Sequence, residues 1–373
     1  MTEHPLQQLQ QLGQSVWLDN IDRGLIDDGG LARHLRADAV SGVTTNPTIF
    51  DKAIAGGGRY DPALSAAMRR SPGATAESLF FELANADVRD AADILRPVYE
   101  ATEGRDGFVS MEVSPLLADD AEASIEQALW LVDRVDRDNL MVKIPATRAG
   151  LPAIEALTAH GVNVNATLLF SVERYREVLE HWLRGMEQRL EGGLELAGIA
   201  SVASFFVSRV DTAVDRELEA AGPDALRALG GRAAIANAGK AYEHFLDVRT
   251  SDRFVRLQDA GAEPQRLLWA STGTKNPDYS DVLYVEGLAG PETVTTLPPA
   301  TLEAFRDHGR VSNALARALE ADDAVLAGIA EQGIVLDAVT ERLEQEGVEA
   351  FVDSYRHLLA TLEERREVLS ASA

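Results

Sequence analysis

Lys143 stands in the run LMVKIPA (140–146) between Met141, Val142, Ile144 and Pro145, so its amine belongs to an apolar strand end rather than to a solvated helix. Desolvation at such a place disfavours the ammonium form, and a neutral lysine amine attacks a ketone to give an imine. The imine withdraws electrons from a neighbouring carbon–carbon bond, which can then break or form. A strand lysine can equally snorkel to water or pair with a carboxylate, and taken alone that is the commoner case.

Glu112 lies near the end of FVSMEV (108–113), the candidate strand before that of Lys143. An unpaired buried carboxylate is costly, so it needs a partner or a purpose. Beside Lys143 it can hold a water and shuttle protons as a general acid–base; a structural ion pair with Lys143 explains it equally well. Asp19 closes SVWLDN (15–20) and, if the strands form a closed ring, approaches the same rim from the other side. There it can take a hydroxyl proton from a bound sugar, although an Asp after a strand is more often a turn former or helix cap.

These residues need a scaffold that brings strand ends together. Eight β-rich runs, at 15–20, 42–46, 108–113, 140–146, 162–170, 198–207, 266–272 and 293–298, alternate with stretches of 3.6-residue periodicity such as DAEASIEQALWLVDRV. The repeating unit is βα with parallel strands, and eight such units fit a closed (β/α)8 barrel. The runs are dense in Val, Ile and Leu, and a polar residue interrupts most of them near the C-terminal end: Asp19, Asn46, Glu112, Lys143, Asn165, Ser204 and Ser271. A barrel strand has no solvated face below its rim, so these side chains are expected to converge there. Residues 208–262 and 300–370 are helical in pattern, and both are expected to pack on a single elaborated barrel spanning 1–373; a small separate C-terminal subdomain is the alternative. GGGRYDP (56–62) and EGGLELAG (191–198) carry loop signals.

Composition narrows the chemistry. With 60 acidic and 35 basic residues the net charge is −25, a field that repels nucleic-acid backbones and anionic lipid surfaces. An anionic small substrate then requires a local positive patch, so each well-placed Lys or Arg is informative. There is no cysteine, which removes disulfides, thiolate metal sites and thiol nucleophiles. The seven histidines show no paired spacing suited to a metal, and GGGRY lacks the phosphate-loop pattern of nucleotide binders. The polar start MTEHPLQQLQQLGQ has no apolar leader core, and no stretch reaches the length of a membrane span. The expectation is a soluble cytoplasmic protein without a metal or nucleotide site, acting on small molecules. Trp130 and Trp182 are expected in helix packing rather than ligand stacking.

Three segments in order, GVTTNPTIF, MVKIPATRAGLPAI and NATLLFSVERY, resemble the signature segments of the transaldolase family, and the likeness runs from about residue 15 to about 310. The resemblance implies transfer of a dihydroxyacetone unit from sedoheptulose 7-phosphate to glyceraldehyde 3-phosphate, with no metal or organic cofactor. It implies Lys143 as the Schiff-base former, Glu112 as the water-holding acid–base, Asp19 as the base toward the C4 hydroxyl, and Thr167 as a residue that helps place the catalytic water. Thr44, Asn46 and Asn165 match its substrate-binding positions. The aldolase-like relatives, which release free dihydroxyacetone, carry a tyrosine where this chain has Glu112, so the glutamate points to transfer.

Two strand-end segments offer a phosphate site. SFFVSRVD (204–211) supplies Ser204 and Arg209, and ASTGTKNPD (270–278) supplies Ser271 and Lys275. Arg209 can bind phosphate bidentately and Lys275 can act as a point charge beside the backbone donors of 271–273. An ion pair of Arg209 with Asp211 or Asp215 is the competing reading. The family commonly has an arginine two residues after the serine; here a lysine stands four residues on. Oligomeric state, monomer or homodimer, is open.

Overall fold

The structure is a computed structural model that describes residues 4–371 apart from Gly57, with the side chains of 317–321 set aside. Its eight strands are β1 (Gln14–Leu18), β2 (Val40–Thr44), β3 (Val109–Glu112), β4 (Leu140–Pro145), β5 (Val164–Leu169), β6 (Ser201–Phe206), β7 (Arg266–Ala270) and β8 (Thr293–Leu297). They pair in chain order, all parallel, and β8 returns to β1 to close the barrel. Each expected strand is present, though most are shorter than their apolar runs. β1 stops at Leu18, β2 at Thr44 and β7 at Ala270, so Asp19, Asn46 and Ser271 sit in the turns just past the strand ends. Asn46 shows why: it caps the helix Pro47–Ala55, its Oδ1 accepting from Ile49 N–H at 2.9 Å, and Pro47 starts that helix with a ring-fixed φ.

The register sets the site. Glu112, Lys143 and Asn165 are side by side on β3, β4 and β5, and Pro145 is level with Thr167. Side chains two apart on a strand share a face, so Ser110 with Glu112 and Asn165 with Thr167 point the same way. The opposite, N-terminal end of the barrel is closed by polar side chains: Gln14 Nε2 donates to Thr293 Oγ1 (2.8 Å) and Arg266 Nη1 to Ser15 Oγ (2.8 Å).

Residues 208–262 form four helices, Ser208–Ala221, Pro223–Leu229, Ala233–Arg249 and Asp252–Asp259. After β8 come Pro299–His308, Ala314–Glu331 and the long C-terminal helix Leu336–Ala371. The C-terminal helix crosses the barrel rim. One part is tied to the helix after β5 by Arg174–Glu344 (3.1 Å) and to the helix after β6 by Arg342–Glu217 (3.0 Å). Its far part is tied to the β2 side by Thr48–Ser354 (2.9 Å), Tyr355–Glu77 (2.7 Å) and Arg365–Asp61 (2.7 Å). Between them Gly347 lies on β5, where an added Cβ would meet Leu168 Cδ2 at 3.2 Å and the Phe170 ring at 3.4 Å.

Of the loop expected at 56–62, Gly57 lies outside the described residues, and Gly58–Tyr60 form a short 3-10 turn. Trp182 is buried, whereas Trp130 stays 38% exposed and packs edge-on against Phe81 of the neighbouring helix. No helix among the described residues is long and apolar enough to cross a membrane.

Candidate active site

A cavity of about 580 Å³ opens at the C-terminal rim, and Lys143 lies on its floor. The Lys143 side chain is only 7% exposed, and its Nζ contacts two oxygens: the carbonyl of Thr45 at 2.9 Å and Oε1 of Glu112, with which it makes a very short ion pair. Glu112 is 8% exposed. Its carboxyl is pushed above the ordinary range by burial, with the Asp19 charge adding to the rise and Lys143 opposing it. The ion pair weighed from the sequence is therefore present, and it joins the two groups to which the sequence reading gives the imine chemistry. Glu112 is not on the wall of this cavity; it faces a small void under Thr45, Asn46 and Tyr355.

Asp19 does line the cavity, and Thr44 Oγ1 donates to its Oδ1 at 2.8 Å. Burial raises its pKa, while Lys143, the Thr44 bond and the more distant Lys275 pull it down. A carboxylate so placed is a better proton acceptor than one in water. Its backbone N–H donates to Leu297 O (2.9 Å), which continues the β1–β8 pairing and holds the residue at the rim. It does not serve as a helix cap; that role falls to Asp22, whose Oδ1 accepts from Leu25 N–H.

Asn165 sits lower than the reading of rim residues implied. It is fully buried, donates to Ser110 Oγ (3.1 Å), accepts from Ser204 Oγ (2.6 Å), and is absent from the cavity wall. The three residues make a polar floor beneath Lys143. Thr44, Asn46, Thr167 and Ser204 reach the cavity. Thr167 Oγ1 is buried there with no hydrogen-bond partner among the described residues, an unmet donor and acceptor turned toward the lysine's neighbourhood. The residue after it, Leu168, has φ of 62°, a left-handed conformation that a branched side chain adopts only under constraint.

Arg209, Ser271 and Lys275 lie on the β6–β7 side of the same cavity. Arg209 is in the first turn of its helix, with its guanidinium over the Phe206 ring at 6.0 Å, and burial lowers its pKa. Among the described residues it makes no ion pair. Asp211 and Asp215 instead accept from Tyr284 and Tyr279 (both 2.9 Å). Helix geometry explains this, since two residues turn the chain by about 200° and six by about 240°, putting both carboxylates away from the face of Arg209. Ser271 also has a left-handed φ, 58°, and its Oγ pairs with Ser208 Oγ at 2.9 Å. Lys275 is exposed and stands between this cavity and a neighbouring one of about 340 Å³.

Lys52 and Phe351 are among the lining residues that were not singled out from the sequence. Phe351 comes from the C-terminal helix, and Lys52 comes from the Asn46-capped helix, where Thr48, Ile49, Lys52 and Ala53 share the inward face. The helical spacing of Thr48 and Lys52 was a usable signal for that face. An aromatic at helical spacing in a remote segment gave none. Positive side chains at 52, 143, 209 and 275 thus gather at one opening of a chain whose net charge is −25.

Comparison with known proteins agrees with this geometry. Residues 16–362 match the family model described as transaldolase/fructose-6-phosphate aldolase. The chain is 48% identical over 368 residues to "Transaldolase 2" of Streptomyces coelicolor, with 98% of each chain covered. It is 49% identical over 356 residues to "Transaldolase" of Thermobifida fusca, covering 95% of this chain and 96% of that one. To "Transaldolase" of Thiobacillus denitrificans it is 47% identical over 352 residues, covering 94% and 98%. The matched span runs on into the C-terminal helix that supplies Phe351, and with the closed barrel it places the chain in one family. The chain belongs to the transaldolase/fructose-6-phosphate aldolase family.

Proposed function

We propose that the chain is a transaldolase that moves a dihydroxyacetone unit from sedoheptulose 7-phosphate to glyceraldehyde 3-phosphate through an imine on Lys143. The observation that carries the reading is Lys143 Nζ held between the Glu112 carboxylate and the Thr45 carbonyl on the floor of a cavity that Asp19 also faces. The amine attacks the ketone carbon, and Glu112, whose raised pKa lets it carry a proton, relays protons through a water as the carbinolamine loses hydroxide. Thr167, with its unmet hydroxyl, helps hold that water. Asp19 then takes the C4 hydroxyl proton; the C3–C4 bond breaks, its electron pair enters the iminium, and an aldose phosphate leaves. Reversal on an acceptor aldehyde completes the transfer.

Thr44 and Asn46 at the rim are assigned to the substrate hydroxyls, with Asn165 setting the floor through Ser204. Arg209, Ser271 and Lys275 are assigned to the phosphate; Ser204, also expected there from the sequence, instead donates its hydroxyl proton to Asn165. Attraction in a water-poor cleft and bidentate geometry favour a dianion there. The test is a coupled assay of fructose 6-phosphate with erythrose 4-phosphate. Sedoheptulose 7-phosphate should form, and Lys143→Ala should reduce turnover by at least about 10³-fold, the scale on which a covalent nucleophile acts. Rapid dihydroxyacetone release without an acceptor would instead make the enzyme an aldolase.

A further inference from the structure

Arg209 and Lys275 come from separate segments, and a pair of cations binds phosphate well only if their separation is fixed. The segment carrying Lys275, residues 271–282, contains no helix or strand. Three connections hold it, and the short helix Leu283–Gly287 that follows it, to the helix Ser208–Ala221, whose first turn carries Arg209. At its start Ser271 Oγ pairs with Ser208 Oγ (2.9 Å), and Ser208 N–H donates to Ser271 O (3.3 Å). Past Lys275, Tyr279 OH donates to Asp215 Oδ2 (2.9 Å) and Tyr284 OH to Asp211 Oδ2 (2.9 Å).

Each aspartate uses its second oxygen to fix a third segment, the entry to the helix Ala233–Arg249. Ala234 N–H donates to Asp211 Oδ1 (2.7 Å) and Gly231 N–H to Asp215 Oδ1 (3.0 Å). The Tyr279 ring lies on Gly231, where φ is 68° and an added Cβ would come within 2.9 Å of the ring. Asp211 and Asp215 are one helical turn apart and so share a face, the one turned from Arg209. Asp211 and Tyr284 are almost wholly buried, at 1% and 2% exposure. A buried carboxylate bonded to a phenol and a backbone amide is rigid, because releasing either partner leaves an unmet polar group in a dry site. Lys275 stands at the free bend of a segment pinned on both sides.

We propose that Asp211 and Asp215, acting through Tyr284 and Tyr279, are positioning residues for the phosphate end of the substrate: they fix the Lys275 segment at a set distance from Arg209. The inference rests on the assignment of Arg209 and Lys275 to the phosphate. It predicts a loss confined to phosphorylated substrates, since none of the four side chains touches the Lys143 region.

The test compares Tyr279→Phe, Tyr284→Phe and the double variant, which keep the rings and remove only the hydroxyls, using glyceraldehyde 3-phosphate and unphosphorylated glyceraldehyde as acceptors, each with the sugar phosphate donor held at a concentration that saturates every variant. The double variant should raise KM for the phosphorylated acceptor about 3- to 10-fold. kcat, and all rates with glyceraldehyde, should stay within about 2-fold. Combined with Lys275→Ala the tyrosine changes should add little, because the group they position is gone. An unchanged KM for the phosphorylated acceptor, or equal losses with both acceptors, overturns the proposal. If Lys275→Ala is selective against the phosphorylated acceptor while the double variant is silent, the positioning role falls and the phosphate assignment stands. If Arg209→Ala and Lys275→Ala show no such selectivity, the phosphate assignment falls first. Tyr279→Phe alone, at a partly exposed site, gives the same readout should the buried Tyr284 change impair folding.

Discussion

Glu112 and Asp19 share a cause for their raised pKa, burial, but not a role. Glu112 is locked to Lys143, whereas Asp19 faces the cavity with one oxygen held by Thr44. Asp19 must be ionised to accept the C4 hydroxyl proton. With its pKa raised, the acid limb of log(kcat/KM) should turn down above the ordinary carboxylate range and move in Thr44→Val, which deletes the hydrogen bond that favours the ionised form. A limb unmoved by Thr44→Val would show that another group sets it. Glu112→Gln removes the proton carrier while keeping the shape. It should slow imine formation while leaving some, and equal imine-formation rates in both proteins would refute the relay. Ser271 sits at a φ of 58°, so Ser271→Gly relieves that strain but leaves the buried Ser208 hydroxyl unmet; stability should shift by less than about 1 kcal/mol while KM for phosphorylated substrates rises. A thermal melt beside a KM measurement checks both halves.

At the scale of elements, the helix after β6 does two jobs on two faces, presenting Arg209 to the cavity and Asp211 to its supports. Burial lifts the Asp211 carboxyl from 3.8 to about 7 despite the bonds from Ala234 and Tyr284, and the Asp215 charge adds to the rise. A folded-state pKa above the unfolded one means the native state binds the proton more tightly, so this group's contribution to stability is greatest at low pH and is lost as pH rises from about 4 through about 7. Urea midpoints of wild type and Asp211→Asn at pH 5 and pH 8 should therefore draw together, or cross, at the higher pH; a constant gap would contradict this.

The same helix shows where the sequence was legible and where it was not. Eight parallel strands buried on both faces leave continuous apolar runs, so their number and order could be read directly. Depth could not. Asn165 and Thr167 both interrupt one such run and lie about 7 Å apart along the same strand, yet Thr167 meets the cavity and Asn165 the floor, because where the rim crosses a given strand depends on barrel stagger. Asp211 and Asp215 invited an ion pair with Arg209 through proximity in sequence, whereas helical periodicity turns them elsewhere. The tyrosines that accept them as partners lie more than sixty residues on, a pairing only the fold makes.

On the scale of the whole molecule, the last helix completes the site that the barrel begins. The helix Leu336–Ala371 is anchored on both sides of the rim and sets Phe351 into the wall of the cavity that Phe206 and Ile49 also line. Such a wall limits water around a bound enamine, which must survive until an acceptor aldehyde arrives. Phe351→Ala should raise the ratio of dihydroxyacetone released to dihydroxyacetone transferred from fructose 6-phosphate by several fold, and an unchanged ratio would leave the ring a packing residue only. The transfer itself depends on one nitrogen, Nζ of Lys143. Borohydride reduction in the presence of fructose 6-phosphate, followed by peptide mass analysis, should place a reduced dihydroxyacetone adduct on the peptide bearing Lys143 and nowhere else. An unmodified Lys143 peptide from enzyme that turned over under the same conditions would contradict the account.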